Sequence, residues 1–366
     1  MTFFTLYDII IIMKEIIKLL NDNGYEAFVV GGFVRDYLLG KSSFDIDIST
    51  NAPINKIMKI FKGRGKAFKE YFSYHIEENG YTYNITTYRK EGKYKRNKPV
   101  EVTVANDLGT DLLRRDFTIN TFAIDAEFRL VDILGARKDL NSRLIKVVGD
   151  TDKKLTEDKT RIVRAIRFAC TLDFDLSPEI VDFISKNGHY INEVPKEYKK
   201  KEMDLIFDSA NAYKFFFIVK RYNLQKYFNI KFDKVIPTYN RYGIWSQVET
   251  ELPFSKKEES IISHIKEIVN RKDVYLSDVR MYNDDIVINA AGILGREKKV
   301  KTYKEILDLH SIVDIDINPD VFLDCCKLEN IKKTYKLVEK NIIEGKLENN
   351  SKDIEEFIRN LVIWIS

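Results

Sequence analysis

Asp45 and Asp47 sit in Phe44-Asp-Ile-Asp-Ile48, a stretch that alternates apolar and acidic residues. Such alternation predicts a β-strand, so both carboxylates point to one face and Phe44, Ile46 and Ile48 to the other. Two carboxylates a few ångströms apart repel unless a cation lies between them. Mg²⁺ bridging carboxylates and phosphates would supply it. Taken alone, an Asp-x-Asp pair reads more readily as a solvated strand face. Upstream, the apolar run Ala27-Phe-Val-Val30 predicts a buried strand ending in Gly31-Gly32, followed by a short helix from Phe33 to Leu39 that Gly40 stops. Bare backbone N–H groups at a helix start form an anion site, and Arg35 one turn in adds a charge-assisted donor. In this order the elements place a phosphate cradle of Gly31, Gly32 and Arg35 beside a metal-binding edge of Asp45 and Asp47.

The elements around these residues are mixed. A helix is expected over 7–22. Tyr74–Glu77 and Tyr81–Tyr88 predict a hairpin, because Asn79-Gly80 between them supplies the positive φ of a tight turn. A second hairpin is expected from Phe122–Asp125 and Leu130–Ile133. From about residue 150 the spacing is helical, as at Ile162, Ile166 and Ala169, or Ile331, Tyr335, Val338 and Ile342. No tandem repeat or low-complexity segment interrupts it. The expected architecture is an α/β N-terminal head followed by an all-α C-terminal region.

Composition removes several other classes. With 44% hydrophobic and 32% charged residues the chain is not disordered, and its 366 residues suggest two or three domains. Only 7 Pro and 16 Gly disfavour an all-β sandwich. A net charge of +4 does not by itself mark a nucleic-acid binder. Cys170, Cys325 and Cys326 form no disulfide framework, and with His75, His189, His264 and His310 they show no zinc spacing. A metal must therefore sit on carboxylates, which favours Mg²⁺. The apolar run Ile9–Met13 is too short to span a bilayer and no cleavage site follows, so it is expected to pack on a core in a cytoplasmic protein.

Gly31-Gly-Phe-Val-Arg-Asp-Tyr-Leu-Leu-Gly40 with Asp45-Ile-Asp47 resembles the first motif of the class II tRNA nucleotidyltransferase and poly(A) polymerase family. Asp111-Leu-Leu-Arg-Arg-Asp-Phe-Thr-Ile-Asn120 resembles its second motif. Asp132, Gly135 and Asp139-Leu140 resemble the segment after it. Glu157-Asp-Lys-Thr-Arg-Ile-Val-Arg-Ala-Ile-Arg-Phe168 resembles its nucleotide-reading motif, and Lys196-Glu197 its last. Weaker similarity runs on to Ile343–Asn349. The resemblance covers nearly the whole chain and is most like a bacterial CCA-adding enzyme. It implies a polymerase-β-like mixed sheet in a nucleotidyltransferase head over 1–148, a nucleotide-reading neck over 149–210 and a tRNA-binding helical body and tail over 211–366. It implies addition of C, C and A to tRNA from CTP and ATP, with Asp45 and Asp47 catalytic on Mg²⁺ and Gly31, Gly32 and Arg35 on the triphosphate. Arg114, Arg115 and Asp116 fall to the ribose and phosphates, although by themselves they read also as a solvated turn.

Asp158 and Arg161, i and i+3 on a helix, would set an acceptor beside a donor. Cytosine and adenine both present an exocyclic N–H beside a ring-nitrogen acceptor, whereas uracil and guanine reverse the pattern. One Asp/Arg pair could thus select C and A without a template. Apart from the resemblance, a helical ion pair is the plainer reading. Arg164 and Arg167 on the same helix are expected to support the nucleotide site. Residues 88–100 hold six basic residues and one acid, Lys159, Arg161, Arg164 and Arg167 crowd one helix, and Lys199–Lys201 adds a cluster. Together they are expected to form a surface for the tRNA acceptor arm. Glu91, Gly92, Lys93 and Tyr94 begin a loop to Pro99 that the resemblance implies is flexible and linked to A addition.

Three positions depart from the family pattern. Asn84 stands where an acid is usual, Thr121 follows Asn120 where Ala is usual, and Tyr198 follows Glu197 where Arg is usual. No phosphohydrolase His-Asp motif is visible in the C-terminal half. A poly(A) polymerase, a partial CC- or A-adding enzyme and an inactive RNA-binding relative are the alternatives. The loop 91–99 favours full CCA addition over the CC-adding branch.

Overall fold

The computed structural model describes residues 6–43, 45–307, 315–318, 320–327 and 330–365. Phe44 and His310 lie outside the described residues. The chain divides into two compact units, one of Met1–Ile206 with Ala210–Phe228 and one of Phe207–Ser209 with Asn229–Ser366.

The first unit begins with α1 (Leu6–Asp22), β1 (Ala27–Val30), α2 (Gly32–Leu38), β2 (Asp45–Thr50) and α3 (Ile54–Ile60), then β3 (Lys66–Phe68), β4 (Ser73–Glu78) and β5 (Tyr81–Thr87). With the two-residue strands Ala123–Ile124 and Leu130–Val131, strands β1 to β5 form a seven-stranded sheet. Its order is Leu130–Val131, Ala123–Ile124, β1, β2, β5, β4, β3. The sheet is mixed: β2 runs parallel to β5 and its other pairings are antiparallel. Both expected hairpins are present. Asn79 and Gly80 have φ of 56° and 79°, the two positive values a two-residue type I′ turn demands. α1 packs on β1 and α3, and α3 packs on β4 and β5. The alternation along β2 explains the layering, since Ile46 and Ile48 are fully buried while Asp45 is exposed. A second cluster of Val30, Tyr88, Leu108, Leu112 and Ala123 packs α4 (Leu108–Leu113) against the sheet.

The chain then passes through α5 (Arg137–Asn141) into α6 (Thr151–Glu157), α7 (Thr160–Thr171), α8 (Pro178–Asn187), α9 (Lys196–Phe207) and α10 (Ala212–Arg221). α7 buries Ile162, Val163, Ile166, Phe168 and Ala169. In the second unit, helices Lys256–Asn270 and Asp284–Leu294 pack through Ile261, Ile265, Val287 and Ala291. Ser255 starts the first of them with a capping box, its hydroxyl accepting from Glu258 N and Glu258 accepting from Ser255 N. A further cluster joins Tyr303, Phe322, Val338, Ile354 and Ile358. The helical expectation holds there apart from the two-residue strands Ile230–Lys231 and Glu249–Thr250. Among the described residues no helix is long and apolar enough to cross a membrane.

Candidate active site

Sheet register builds the carboxylate edge. Asp47 lies opposite Val30 on β1 and beside Asn84 on β5, and Asn84 lies opposite His75 on β4. Register neighbours share a face, so Asp47, Asn84 and His75 form a row across three strands. Asn84 Nδ2 donates to Asp47 Oδ1 at 3.3 Å. The residue found where an acid is usual thus relieves the repulsion a third carboxylate would add. Asn84 Oδ1 is buried without a hydrogen-bond partner. Among the described residues no group of three or more His, Cys, Asp or Glu gathers to hold a metal. Two carboxylates on one strand face plus an orphaned amide oxygen are nevertheless all hard oxygen donors. That set fits a cation such as Mg²⁺, which keeps several waters and takes its other ligands from substrate phosphates.

Gly31 closes the other side of Asp47. Its φ is +80°, and a Cβ there would lie 2.8 Å from Arg115 Nη1 and 3.3 Å from Asp47 Oδ2. Glycine therefore lets a carboxylate and a guanidinium reach the start of α2. Arg35 is placed differently from the expectation of a free phosphate donor. It is buried, donates through Nε and Nη2 to Asp36 at 2.9 Å each, and gives Nη1 to Asn120 Oδ1 at 2.7 Å.

Sequence reasoning missed Asp111, which anchors the basic wall. It is fully buried and accepts from Arg114 Nε at 2.9 Å, Ser49 Oγ at 3.2 Å and Arg89 N at 3.2 Å, with Arg115 Nη2 at 3.6 Å. Burial alone pushes its carboxyl up, but Arg114 and Arg115 together pull it below the ordinary value. The i, i+3, i+4 spacing of Asp111 to the two arginines was the available signal. Asp116, expected at the sugar, accepts instead from Arg164 Nε at 2.8 Å, Asn120 Nδ2 at 3.0 Å and Phe117 N at 2.8 Å. Burial opposes its ionisation, yet Arg164 and these donors hold its carboxyl far below the usual range.

The neck corrects one geometric expectation. α6 ends at Glu157 and α7 begins at Thr160, so Asp158 lies between them with φ −136° and ψ 97° rather than on the helix of Arg161. Its Oδ1 accepts from Thr160 N at 3.0 Å, and its Oδ2 is 3.7 Å from Arg161 Nε. Arg161, 5% exposed, donates to Lys154 O at 2.9 Å and to Tyr94 Oη at 3.0 Å. Tyr94 in turn donates to Glu91 Oε2 at 2.5 Å. The stretch expected to be a flexible loop forms β6 (Arg89–Glu91) and a small hairpin of β7 (Tyr94–Lys95) and β8 (Lys98–Pro99), turned by Arg96 and Asn97 at φ 50° and 63°. Asn97 accepts from Lys159 N at 3.0 Å, at the start of α7, and donates to Glu193 O at 3.1 Å.

In the two basic clusters expected on the surface, most side chains turn toward internal partners, while Lys201 is exposed. Arg164 pairs with Asp116 and Arg167 with Glu202. With Arg35, both place their guanidinium carbons within 5.6 Å of the Phe168 ring centroid. Lys199 is 2% exposed, donates to Tyr227 O at 2.8 Å, and is lowered to about 8 by burial and by Lys196. Lys200, also buried, pairs with Asp204 at 2.6 Å.

Two cavities link these groups. One of about 390 Å³ is lined by Asp47, His75 and Asn84, and one of about 620 Å³ by Tyr94, Asp158, Arg161 and Tyr198. Tyr71, Arg89, Arg114 and Arg115 line both. A mixed sheet presenting paired carboxylates beside a glycine turn, with a wall of arginines leading to an acceptor–donor pair at the start of α7, defines a nucleotidyltransferase head. Residues 27–146 match the Poly A polymerase head domain family. A CCA-adding enzyme of Staphylococcus aureus is 28% identical over 394 residues, covering 95% of this chain and 97% of its own. One of Bacillus pumilus is 37% identical over 190 residues, covering 52% and 48%. The solved structure of Bacillus stearothermophilus CCA-adding enzyme in complex with CTP superposes with TM-score 0.66 at 22% identity, over 96% of this chain and 97% of that one. Thermotoga maritima CCA-adding enzyme complexed with tRNA gives 0.62 at 17%, over 97% and 95%. The chain is thus similar over nearly its whole length to bacterial CCA-adding enzymes, and its head matches the Poly A polymerase head domain.

Proposed function

We propose that the protein adds C, C and A to the 3′ end of tRNA, using CTP and ATP and releasing pyrophosphate. The observation that carries this reading is the continuous arginine wall between Asp47 and the Asp158/Arg161 pair. A nucleoside triphosphate laid along it has its base at the neck and its phosphates at the strand edge. Arg114 and Arg115, oriented by buried Asp111, face the ribose and phosphates. Asp116 acts from behind, holding Arg164 in place as a positioning residue. Gly31 and Gly32 leave room for the triphosphate, and Arg35 supports them through Asp36 and Asn120.

Asp45 and Asp47 would hold Mg²⁺, with Asn84 Nδ2 donating to Asp47 beside them. Bound there, the ion would supply a lower pKa for the attacking 3′-hydroxyl and screening of the leaving pyrophosphate. Asp158 accepts from the exocyclic amine and Arg161 donates to the ring nitrogen. A base that engages Arg161 displaces the Tyr94 hydroxyl, which occupies that donor here. Functionally, residues 1–148 serve catalysis, 149–210 nucleotide reading, and 211–366 tRNA binding, a division drawn on roles rather than on the two compact units. With tRNA, CTP and ATP as its substrates, the protein acts in the cytoplasm.

The test supplies Mg²⁺, each NTP alone or mixed, and tRNA ending before CC, after CC or complete, and sequences the 3′ ends. Full CCA on the first substrate and A on the second is expected. Poly(A) tails, or a stop after CC, would replace this reading with another member activity. Asp47→Ala should abolish addition of both C and A while tRNA binding persists; wild-type turnover would remove the metal assignment. For base choice, kcat/KM is compared for all four NTPs. Asp158→Ala or Arg161→Ala should lose discrimination of CTP over UTP, because a wrong base no longer leaves buried polar groups unsatisfied.

A further inference from the structure

On α7 and α9, Arg164, Arg167 and Lys200 are paired internally with carboxylates, whereas a basic stretch on α10 is exposed, as are Lys90, Lys93, Lys95, Arg96 and Lys98 in the head. Residues 210–228 contain no Asp or Glu, in a chain with 56 such residues among 366, but do contain Lys214, Lys220, Arg221 and Lys226. α10 buries Ala212, Phe215, Ile218 and Val219 and packs on α7. Tyr213 and Phe217, both 61% exposed, stand at i and i+4, and Arg221 follows at i+8. A helix carries these three on one stripe, turned away from the buried face. Lys220 is exposed at its edge. Arg221 is exposed and its guanidinium carbon lies 5.7 Å from the Phe217 ring centroid and 5.8 Å from that of Tyr222. Lys214 belongs elsewhere, paired with Asp173 and Asp175.

We propose that this stripe is a docking surface for RNA, with Tyr213 and Phe217 stacking on unpaired bases or ribose and Lys220 and Arg221 meeting the phosphates. Exposed aromatic faces alternating with cations, on a stretch that itself carries no carboxylate, are the chemistry that holds a nucleic-acid strand without reading its sequence. Opposed charge selects the occupant: a polyanion gains from every cation on the stripe, whereas a second copy of α10 would bring cations against cations. The inference rests on the reading of the protein as a tRNA-modifying enzyme, and it adds a contact on the far side of α10 from the α7 helix.

The experiment measures binding of tRNA lacking CCA by fluorescence anisotropy, without nucleotide, between about 50 and 200 mM salt. All four side chains are solvent-facing or edge positions, so the variants keep the core; circular dichroism and CTP affinity confirm it. Tyr213→Ser with Phe217→Ser should raise the tRNA Kd about tenfold. Lys220→Gln with Arg221→Gln should weaken binding and lower the slope of log K against log salt by about 1–2. CTP affinity should not move in either. Wild-type Kd and slope in both double variants would overturn the proposal. So would an unchanged tRNA affinity with a wild-type dimer that the aromatic variant splits in sedimentation, since a second copy would then cover the stripe. If the wild type binds tRNA through the stripe but adds no nucleotides, the proposed function fails and this contact stands. If it adds CCA and the variants bind tRNA normally, only the stripe fails.

Discussion

At Gly31 a single methyl group decides the geometry of the site. Alanine there would set its Cβ 2.8 Å from Arg115 Nη1 and 3.3 Å from Asp47 Oδ2, on a backbone at φ +80° that L-residues rarely adopt. Both the Asp47 carboxylate and the Arg115 guanidinium would have to shift. Displacing reacting groups by about 1 Å costs on the order of 10²-fold in rate. Gly31→Ala should therefore lower kcat for C and for A by about that factor, with a stability loss of only about 1–2 kcal/mol from the strained backbone. Steady-state kinetics beside thermal melting checks this; unchanged kcat would mean that Arg115 and Asp47 need not approach each other. Asp116 invites a different experiment, because its role is to neutralise Arg164. Its folded carboxyl is held below the ordinary value of about 4. A depressed carboxyl contributes stability above its unfolded pKa, and that contribution is lost as pH falls through the folded value. Asp116→Asn should cost about 2–3 kcal/mol at neutral pH, where it leaves the Arg164 guanidinium without its counter-charge. The penalty should shrink as pH drops below about 4. Urea titrations from pH 7 to 3 read it directly, and a pH-independent difference would deny the pair its electrostatic role.

Between β6 and α7, a small hairpin touches the residues assigned to the base. The β7–β8 hairpin reaches α7 through two contacts, Tyr94 on Arg161 and Asn97 on the Lys159 amide. Both partners adjoin the residues assigned to the base. Tyr94→Phe keeps the ring over the guanidinium, whose carbon lies 5.3 Å from its centroid, and removes only the hydroxyl that competes for Nη2. CTP should bind about three- to tenfold tighter, the range one hydrogen bond commands. Removing residues 94–99 while keeping Glu91, which clamps Arg89 and Arg114, should leave product ending in CC. Weaker CTP binding by Tyr94→Phe would show that the hydroxyl orients Arg161 instead of blocking it. These same elements mark where sequence reading stops. The strand–Gly-Gly–helix–strand run and the Asn79-Gly80 hairpin were legible, because period and turn chemistry are local. The inward turn of Arg164 and Arg167 was not, because their counter-charges Asp116 and Glu202 lie 48 and 35 residues away. Asp158 left the helix because its side chain caps Thr160, a local competition that i, i+3 counting overlooks.

On the scale of the whole molecule, every residue assigned to the nucleotide belongs to the first compact unit, and the second contributes none of them. The second unit has its own cores, built by Ile265 with Val287 and by Phe322 with Val338, so it has the packing to hold its shape without a nucleotide. Ligand that binds one folded unit stabilises that unit by mass action, about 2.7 kcal/mol at a hundredfold excess over Kd. Saturating CTP should therefore slow amide hydrogen exchange at Gly31–Asp47, at 89–116 and at the start of α7, where opening exposes the nucleotide cleft. Amides in Lys256–Asn270 and Asp284–Leu294 should exchange at unchanged rates, because their opening releases no nucleotide. Adding tRNA is the informative contrast: protection should then extend to α10 if the aromatic stripe holds RNA, and into the second unit if that unit binds the substrate's body. Protection by CTP alone reaching the second unit would show that nucleotide binding is felt across both units, and the assignment of nucleotide reading to residues 149–210 would have to be widened.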